Sequence, residues 1–173
     1  GITDPIKAGE TSDVTVTVYD RFGNIATDYL GTIHFASTNP APTLPSDYAF
    51  TGAELIKGQA TFAGGVAFDT TGTNYEVTVV DTLDATVDGK QTGIDVTPAI
   101  ADYYIVSGIT DPIRAGETSD VTVTVYDRFS NIVTDYLGTI HFASTNPAPT
   151  LPLDYTFDGT EPIKGQATFT GGV

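Results

Sequence analysis

The chain has 173 residues, 40% of them hydrophobic, and its 22 acidic side chains outnumber its 7 basic ones to give a net charge of −15. The hydrophobic content favours folded domains over disorder, and the length suits one or two of them. The negative charge argues against nucleic acid as a partner, and the absence of any run of about 18 apolar residues argues against membrane insertion. Because cysteine is absent, thiolate zinc sites and cysteine nucleophiles are excluded.

Two segments of the chain, residues 1–66 and 108–173, have almost the same sequence. They align without a gap, so that Gly1 corresponds to Gly108 and Ala8 to Ala115, and they differ at nine of 66 positions. Copies this similar predict the same fold twice, and they favour further copies in a longer array.

The repeat also predicts where the domains lie. We expect a first domain at residues 1–100 that lacks its leading strand, since the segment 101–107 precedes only the second copy. The second domain, residues 101–173, lacks its last strands, since it stops at Val173. The chain begins at Gly1 and contains no methionine, which favours an excised segment of a longer array. The alternative is that strands donated by other chains complete both ends.

Side chains alternate between apolar and polar in much of the chain, which predicts β-strands. In chain order the alternation is clearest in DVTVTVYD (13–20), GTIHFAS (31–37) and NYEVTVVD (74–81). Between these runs, DRFGN (20–24) predicts a tight corner and DGKQTG (88–93) predicts a loop. About seven short strands in each period predict an all-β fold in the form of a β-sandwich.

Two other segments carry specific structural expectations. Tyr75 lies at the start of a late strand, where a sandwich can place a corner tyrosine. The proline-rich segment STNPAPTLP occurs unchanged at 37–45 and 144–152. Its prolines exclude a central strand. Two interpretations stay open, a stiff connector between sheets and a protruding loop that contacts another chain.

Three motifs of the repeat point to a known family. They are AGETSDVTVTVYDRF (8–22) with the glycine and asparagine that follow it, the GTIHF strand (31–35) and the LPSDY segment (44–48). Together they resemble the immunoglobulin-like repeats, of filamin-like type, of long bacterial surface proteins. The resemblance implies tandem immunoglobulin-like β-sandwiches, with about 107 residues per repeat, in an extracellular setting. Ser130 replaces the usual corner glycine, which predicts that this position does not strictly require a positive φ.

The sequence offers little for catalysis. The only histidines, His34 and His141, occupy the same position in the two copies, and each lies on the face of its strand opposite the apolar residues. A solvated side chain is therefore the expected role for both. No phosphate-binding loop, serine nucleophile elbow or H-E-x-x-H motif occurs. We expect that the protein is not an enzyme and that no cofactor is certain.

Calcium is the one cofactor that the sequence suggests. Asp81, Asp84 and Asp88 lie together beside a glycine in DTLDATVDG, and a sandwich would place the corner residues Asp20 and Asn24 at the same pole. Carboxylate and amide oxygens are the ligands that calcium prefers. An ion bound there would stiffen the junction with a preceding domain and offset the charge. Because no D-x-[DN]-x-[DN]-G motif is present, ordinary polar loop acids are the alternative.

The repeat predicts a structural function, because length and surface are what an array of modules supplies. We expect a module that forms or extends a cell-surface filament, surface layer or stalk, with copies of itself or neighbouring repeats as partners. The alternative is an adhesin or carbohydrate-recognition module with glycans as partners. That function would be favoured by an exposed aromatic cluster of Tyr29, Tyr48, Tyr136 and Tyr155.

Overall fold

The computed structural model describes residues 1–173 and contains only β-strands, turns and irregular segments. The chain divides into two compact units, Gly1–Thr97 and Pro98–Val173. Several separate sheets and no helices are consistent with a β-sandwich. The structure contains no helix of the length and apolarity needed to cross a membrane.

The first unit contains eight strands in two sheets. Their bounds are β1 Ile6–Lys7, β2 Thr11–Thr17, β3 Thr32–Ser37, β4 Pro42–Thr43, β5 Tyr48–Ala49, β6 Gln59–Phe68, β7 Gly72–Asp81 and β8 Asp88–Thr97. One sheet has the order β1-β8-β7-β3-β5 and the other has the order β2-β6-β4. All pairings are antiparallel except that of β1 with β8. The short strand β4 lies at a sheet edge, where proline is tolerated.

The core of the first unit follows from the alternation along its strands. In β3, Ile33 and Phe35 are buried and His34 between them is exposed, as predicted. Phe35 packs edge-to-face against Phe62 of the other sheet, with ring centroids 5.1 Å apart. Burial of each such side chain stabilises the fold by about 1.5–3 kcal/mol. The apolar faces of the strands therefore hold this unit together.

The second unit contains five strands, whose bounds are β9 Ala101–Ser107, β10 Val121–Asp127, β11 Thr139–Ile140, β12 Tyr155–Thr156 and β13 Gln166–Phe169. Its sheets have the orders β13-β10-β9 and β11-β12. Its buried core consists of Val123, Val125, Val133, Ile140, Phe157 and Ala167. Each of these core residues has an apolar equivalent in the first copy. Four of the equivalents are buried there, Val18, Ile33, Phe50 and Ala60, whereas Val16 and Ala26 are half-buried.

The pairing register is also the same in the two units. In the first, Val14 faces Phe62 and Val16 faces Ala60 across β2 and β6. In the second, Val121 faces Phe169 and Val123 faces Ala167 across β10 and β13. Each of these residues corresponds to its equivalent in the alignment of the copies, which means that the near-identical sequence forms the same pair of strands twice.

Two sequence-based expectations are wrong. DGKQTG (88–93) is not a loop, because its residues form the first part of β8 and pair with β7 from Asp88 onwards. Gly93 has a φ of 74°, at the place where the register of this pair shifts, so its glycines accommodate an irregularity rather than end a strand. The second wrong expectation is that the corner position does not require a positive φ. Both copies adopt one there, since Gly23 has a φ of 83° and Ser130 a φ of 67°.

Candidate functional site

The turn between β7 and β8 is closed by the first two acidic residues of the predicted calcium loop. The Oδ1 of Asp81 accepts hydrogen bonds from the amides of Leu83 at 2.7 Å and Asp84 at 3.1 Å. Its Oδ2 accepts the hydroxyl of Tyr29 at 2.5 Å. The bond from Tyr29 and these two amides hold the pKa of Asp81 below its ordinary value. In turn, burial and the hydrogen bond to Asp81 raise the pKa of Tyr29.

The other acids of this loop have separate roles. The Oδ1 of Asp84 accepts the hydroxyl and the amide of Thr86, at 2.6 and 3.0 Å, and both bonds lower the pKa of Asp84. Asp88 is the first residue of β8 and pairs with Val80. The loop is therefore a hydrogen-bonded turn in which two carboxylates accept bonds from their own segment.

The corner of the first unit is a second hydrogen-bonded turn. The Oδ1 of Asp20 accepts the amides of Phe22 at 2.8 Å and Asn24 at 2.9 Å, and the side-chain amide of Asn24 donates to Oδ2 at 3.1 Å. These bonds, those from Asn24 first, lower the pKa of Asp20. The structure brings Asp20 and Asn24 together here, and it brings Asp81 and Asp84 together in the β7–β8 turn. No group of three or more Asp, Glu or His side chains could hold a metal ion, so calcium stays a prediction.

The second copy of the corner has an additional neighbour. Asp127 makes the same bonds to Phe129 and Asn131, and its Oδ2 also accepts the amide of Ala99 at 3.0 Å. Asp127 is 0% exposed, whereas Asp20 is exposed. Burial raises the pKa of Asp127, but the hydrogen bonds from Asn131, Ala99 and Phe129 outweigh it, and the pKa lies below its ordinary value.

The four tyrosines that would favour sugar binding do not form an exposed cluster. All are half-buried, and three of them donate to acidic side chains in their own unit. The first unit pairs Tyr48 with Glu54 at 3.3 Å, and the second pairs Tyr155 with Glu161 at 3.2 Å. These tyrosines also pack edge-to-face against core phenylalanines. Their rings are part of the core packing, and they offer no open aromatic platform.

Sequence reasoning missed the tyrosine–glutamate pairs. Each glutamate also accepts backbone amides: Glu54 binds the amide of Thr51 at 2.7 Å, and Glu161 binds that of Asp158 at 3.0 Å. The signal was a tyrosine followed six residues later by a glutamate, retained in both copies although residues between them differ. The histidines are exposed, as predicted, and each binds an aspartate of its own unit: His34 with Asp47, and His141 with Asp154.

The proline-rich segment of the first unit is held against the sheets. The side chain of Asn39 donates to the carbonyl of Thr70 at 2.8 Å, and the amide of Asp69 donates to the carbonyl of Ala41 at 3.1 Å. Asn39 is 3% exposed. These bonds support the connector interpretation over a protruding loop.

An opening in the first unit lies along β2, which is an edge strand. A groove of about 460 Å³ runs beside it. Val14, Val16 and Val18 line one wall, and Ile33 and Val79 belong to the opposite wall. Polar and charged residues also line the groove, among them Thr15, Thr17, Asp88, Lys90 and Gln91.

Comparison of the chain with protein-family models, with curated proteins and with solved structures found no match.

Proposed function

We propose that the chain is a structural module of an extracellular tandem array, built from immunoglobulin-like β-sandwiches of the filamin-like type. The modules form or extend a cell-surface filament, surface layer or stalk. Their function is to supply length and a repeated surface, through contacts with neighbouring repeats and with copies of the same chain.

The observation that carries the proposal is the repetition of one strand register at equivalent positions of the two copies. The nine differences between the copies leave the paired apolar residues of β2 and β10 unchanged. A site for one small ligand needs a single copy of its scaffold, whereas an array gains reach from every copy. The repetition therefore supports a role in which the number of modules matters.

The immunoglobulin-like assignment has its own support. The hydroxyl of Tyr75 donates to the carbonyl of Thr71 at 3.0 Å, four residues upstream. A tyrosine that binds back to the backbone in this way at the start of a late strand is a feature of immunoglobulin-like sandwiches. The net charge of −15 adds mutual repulsion between the side surfaces of modules, which favours extension over lateral clustering.

Immunogold electron microscopy of the source cells tests the proposal. Antibodies raised against the chain are expected to label filaments, layers or stalks on the cell surface, with labels spaced at a regular axial repeat. Serum from the same animals before immunisation is the control. Labelling confined to the cell interior would contradict the proposal. Saturable binding of the chain to one class of glycan, measured on a glycan microarray, would also contradict it.

A further inference from the structure

Two tyrosines lie opposite one another on the outer face of the sheet β13-β10-β9. Tyr103 of β9 pairs in register with Tyr126 of β10, and their rings are stacked, with centroids 5.4 Å apart and an interplanar angle of 15°. The neighbouring Val125 is fully buried on the inner face, so the two rings lie on the outer one. Both side chains are half-buried there, which leaves part of each ring in contact with solvent.

This contact differs from the other ring contacts of the chain, which are edge-to-face. Directly opposed residues of an antiparallel pair have their Cβ atoms only about 5 Å apart. The backbone therefore holds the rings of Tyr103 and Tyr126 side by side. Rotation about their side-chain bonds is sufficient to bring together the two ortho carbons, the ring carbons beside the hydroxyl groups, at which phenols couple when oxidised.

A second pair of tyrosines meets on the inner face and is less suited to coupling. The hydroxyls of Tyr104 and Tyr136 are 2.5 Å apart, but the rings are at 74° to each other and Tyr136 lies outside the strands. The hydrogen bond with Tyr104, together with burial, raises the pKa of Tyr136 to about 12, which makes its proton harder to lose. The ring of Tyr136 also packs against Phe157 of the core.

The position of the outer pair suits a covalent link. Strand β9 follows the segment that joins the two units, and it is an edge strand that pairs only with β10. Tension along the chain would load β9 first, and its contacts with β10 would resist the load. Because Tyr103 lies near the start of β9, a bond to Tyr126 would pass tension to the central strand and leave residues 104–125 unloaded. The chain has no cysteine that could supply such a link as a disulfide.

We propose that Tyr103 and Tyr126 are an oxidative modification site, at which a peroxidase with hydrogen peroxide joins the two side chains as dityrosine. Each phenol loses one electron and its hydroxyl proton, and the two radicals form a bond between one ortho carbon of each ring. Each of these carbons then gives up its proton, and each phenolic oxygen takes one up. The two hydrogen atoms lost overall reduce one hydrogen peroxide to two water molecules. The coupling rests on the ring geometry, and only its mechanical use rests on the proposed function.

The test oxidises the full chain with a haem peroxidase and hydrogen peroxide, in solution dilute enough to disfavour coupling between chains. The monomer is then isolated and digested with trypsin. Cleavage after Lys90, Arg114 and Arg128 places Tyr103 in peptide 91–114 and Tyr126 in peptide 115–128. We expect these two peptides to be joined, with the loss of two hydrogen atoms and with the blue fluorescence of dityrosine.

Two results of the digestion would overturn the proposal. One is a monomer that contains no linked peptides. The other is a link only between peptide 91–114 and peptide 129–164, because the second of these contains Tyr136 and the link would then join the inner pair.

Matched variants assign the link to single residues. Peptides 8–21 and 115–128 have the same sequence, so mass alone does not distinguish Tyr19 from Tyr126. Tyr126→Phe is expected to abolish the linked product, and Tyr19→Phe is expected to leave its yield unchanged. Within peptide 91–114, Tyr103→Phe is expected to abolish the product and Tyr104→Phe to retain it. Each variant keeps an aromatic ring, and the opposite result in either pair would overturn the assignment.

The link is also expected to stabilise the second unit. It closes the chain between Tyr103 and Tyr126 in the unfolded state, as a disulfide of that span would, so the midpoint of thermal unfolding should rise by about 10 °C. NMR signals of the second unit measure this midpoint in the purified linked monomer. Tyr126→Phe carried through the same oxidation is the control and should show no rise. An unchanged midpoint in the linked chain would overturn the stabilising role of the link.

The two proposals fail separately. Linked peptides in a chain that labels no surface structure would keep the modification site and reject the structural function. Labelled filaments formed by a chain that does not couple would keep the function and reject this site.

Discussion

The segment Asp-Arg-Phe-x-Asn forms the same hydrogen-bonded corner at 20–24 and at 127–131, but only the second corner is buried. Asp127 is 0% exposed and Asn131 is 8% exposed, while both equivalents in the first unit are exposed. The local bonds join the same donors and acceptors in both corners. What differs is β9 and the residues before it, which cover one corner. Local sequence therefore determines the turn, and a neighbouring strand determines its environment.

The largest expected effect comes from removal of the buried carboxylate. Asp127→Ala leaves four donors from Ala99, Phe129 and Asn131 without their acceptor, which is expected to destabilise the second unit by about 3 kcal/mol. Asp20→Ala is the matched control, and a clearly smaller loss is expected because water can replace its carboxylate. Urea unfolding followed by NMR signals of each unit measures both. Equal losses would mean that cover by β9 is irrelevant to the corner.

Acid is expected to weaken the same corner. The pKa of Asp127 lies below its unfolded value of about 3.9, so the ionised carboxylate stabilises the folded state above that pH. This contribution disappears as the pH falls through the lower, folded-state pKa. Asp127→Asn should therefore give a shallower loss of unfolding free energy between pH 5 and 2, measured by urea titration at each pH. An unchanged slope would show that other carboxylates dominate acid unfolding.

Substitutions at the corner position with a positive φ, Gly23 and Ser130, distinguish the cost of the backbone conformation from the contribution of the side chain. At Gly23 a Cβ would meet nothing within 4 Å, so Gly23→Ala costs only conformational energy, about 1 kcal/mol. Ser130→Gly removes that strain at the equivalent position but also loses the hydrogen bond from Tyr103 at 2.9 Å, so a change near zero is expected. Thermal unfolding of both variants measures the difference. A stabilising Gly23→Ala would contradict the left-handed geometry.

A comparably small effect is expected at the stacked tyrosine. Tyr126→Ala removes the contact with Tyr103 and is expected to destabilise the pairing of β9 by about 1 kcal/mol, seen as faster exchange of its amides. Tyr19→Ala removes a ring that is 60% exposed, and it is expected to change the stability of the first unit less. A larger loss from Tyr19→Ala would show that the exposed ring already packs against its own unit.

The sequence predicted the parts of the fold that depend on local periodicity. The alternation of Ile33, His34 and Phe35 was sufficient to assign which side chains are buried. It was insufficient for β8, because Gly89 and Gly93 look like turn residues and the pairing with β7 that makes them a strand is not local. The backbone conformation of the corner was also predicted wrongly. Ser130 adopts a positive φ, within a turn that hydrogen bonds to Asp127 hold in place.

The candidate site was predictable only in part. Asp20 with Asn24, and Asp81 with Asp84, were each expected near one another because they are close in sequence. The bond from Tyr29 to Asp81 joins residues 52 apart and has no local signal. The groove beside β2 brings Val14 and Val16 together with Ile33 and Val79, which are far apart in the sequence and have no local signal.

Amide exchange of the unmodified chain, assigned by NMR, tests the central comparison most directly. The amides of Thr17 and Thr124 have the same local sequence and point away from β6 and β13, respectively. We expect strong protection at Thr124, because Ile105 of β9 pairs with it, and rapid exchange at Thr17. Equal protection at the two positions would contradict the claim that β9 alone distinguishes the covered edge from the open one.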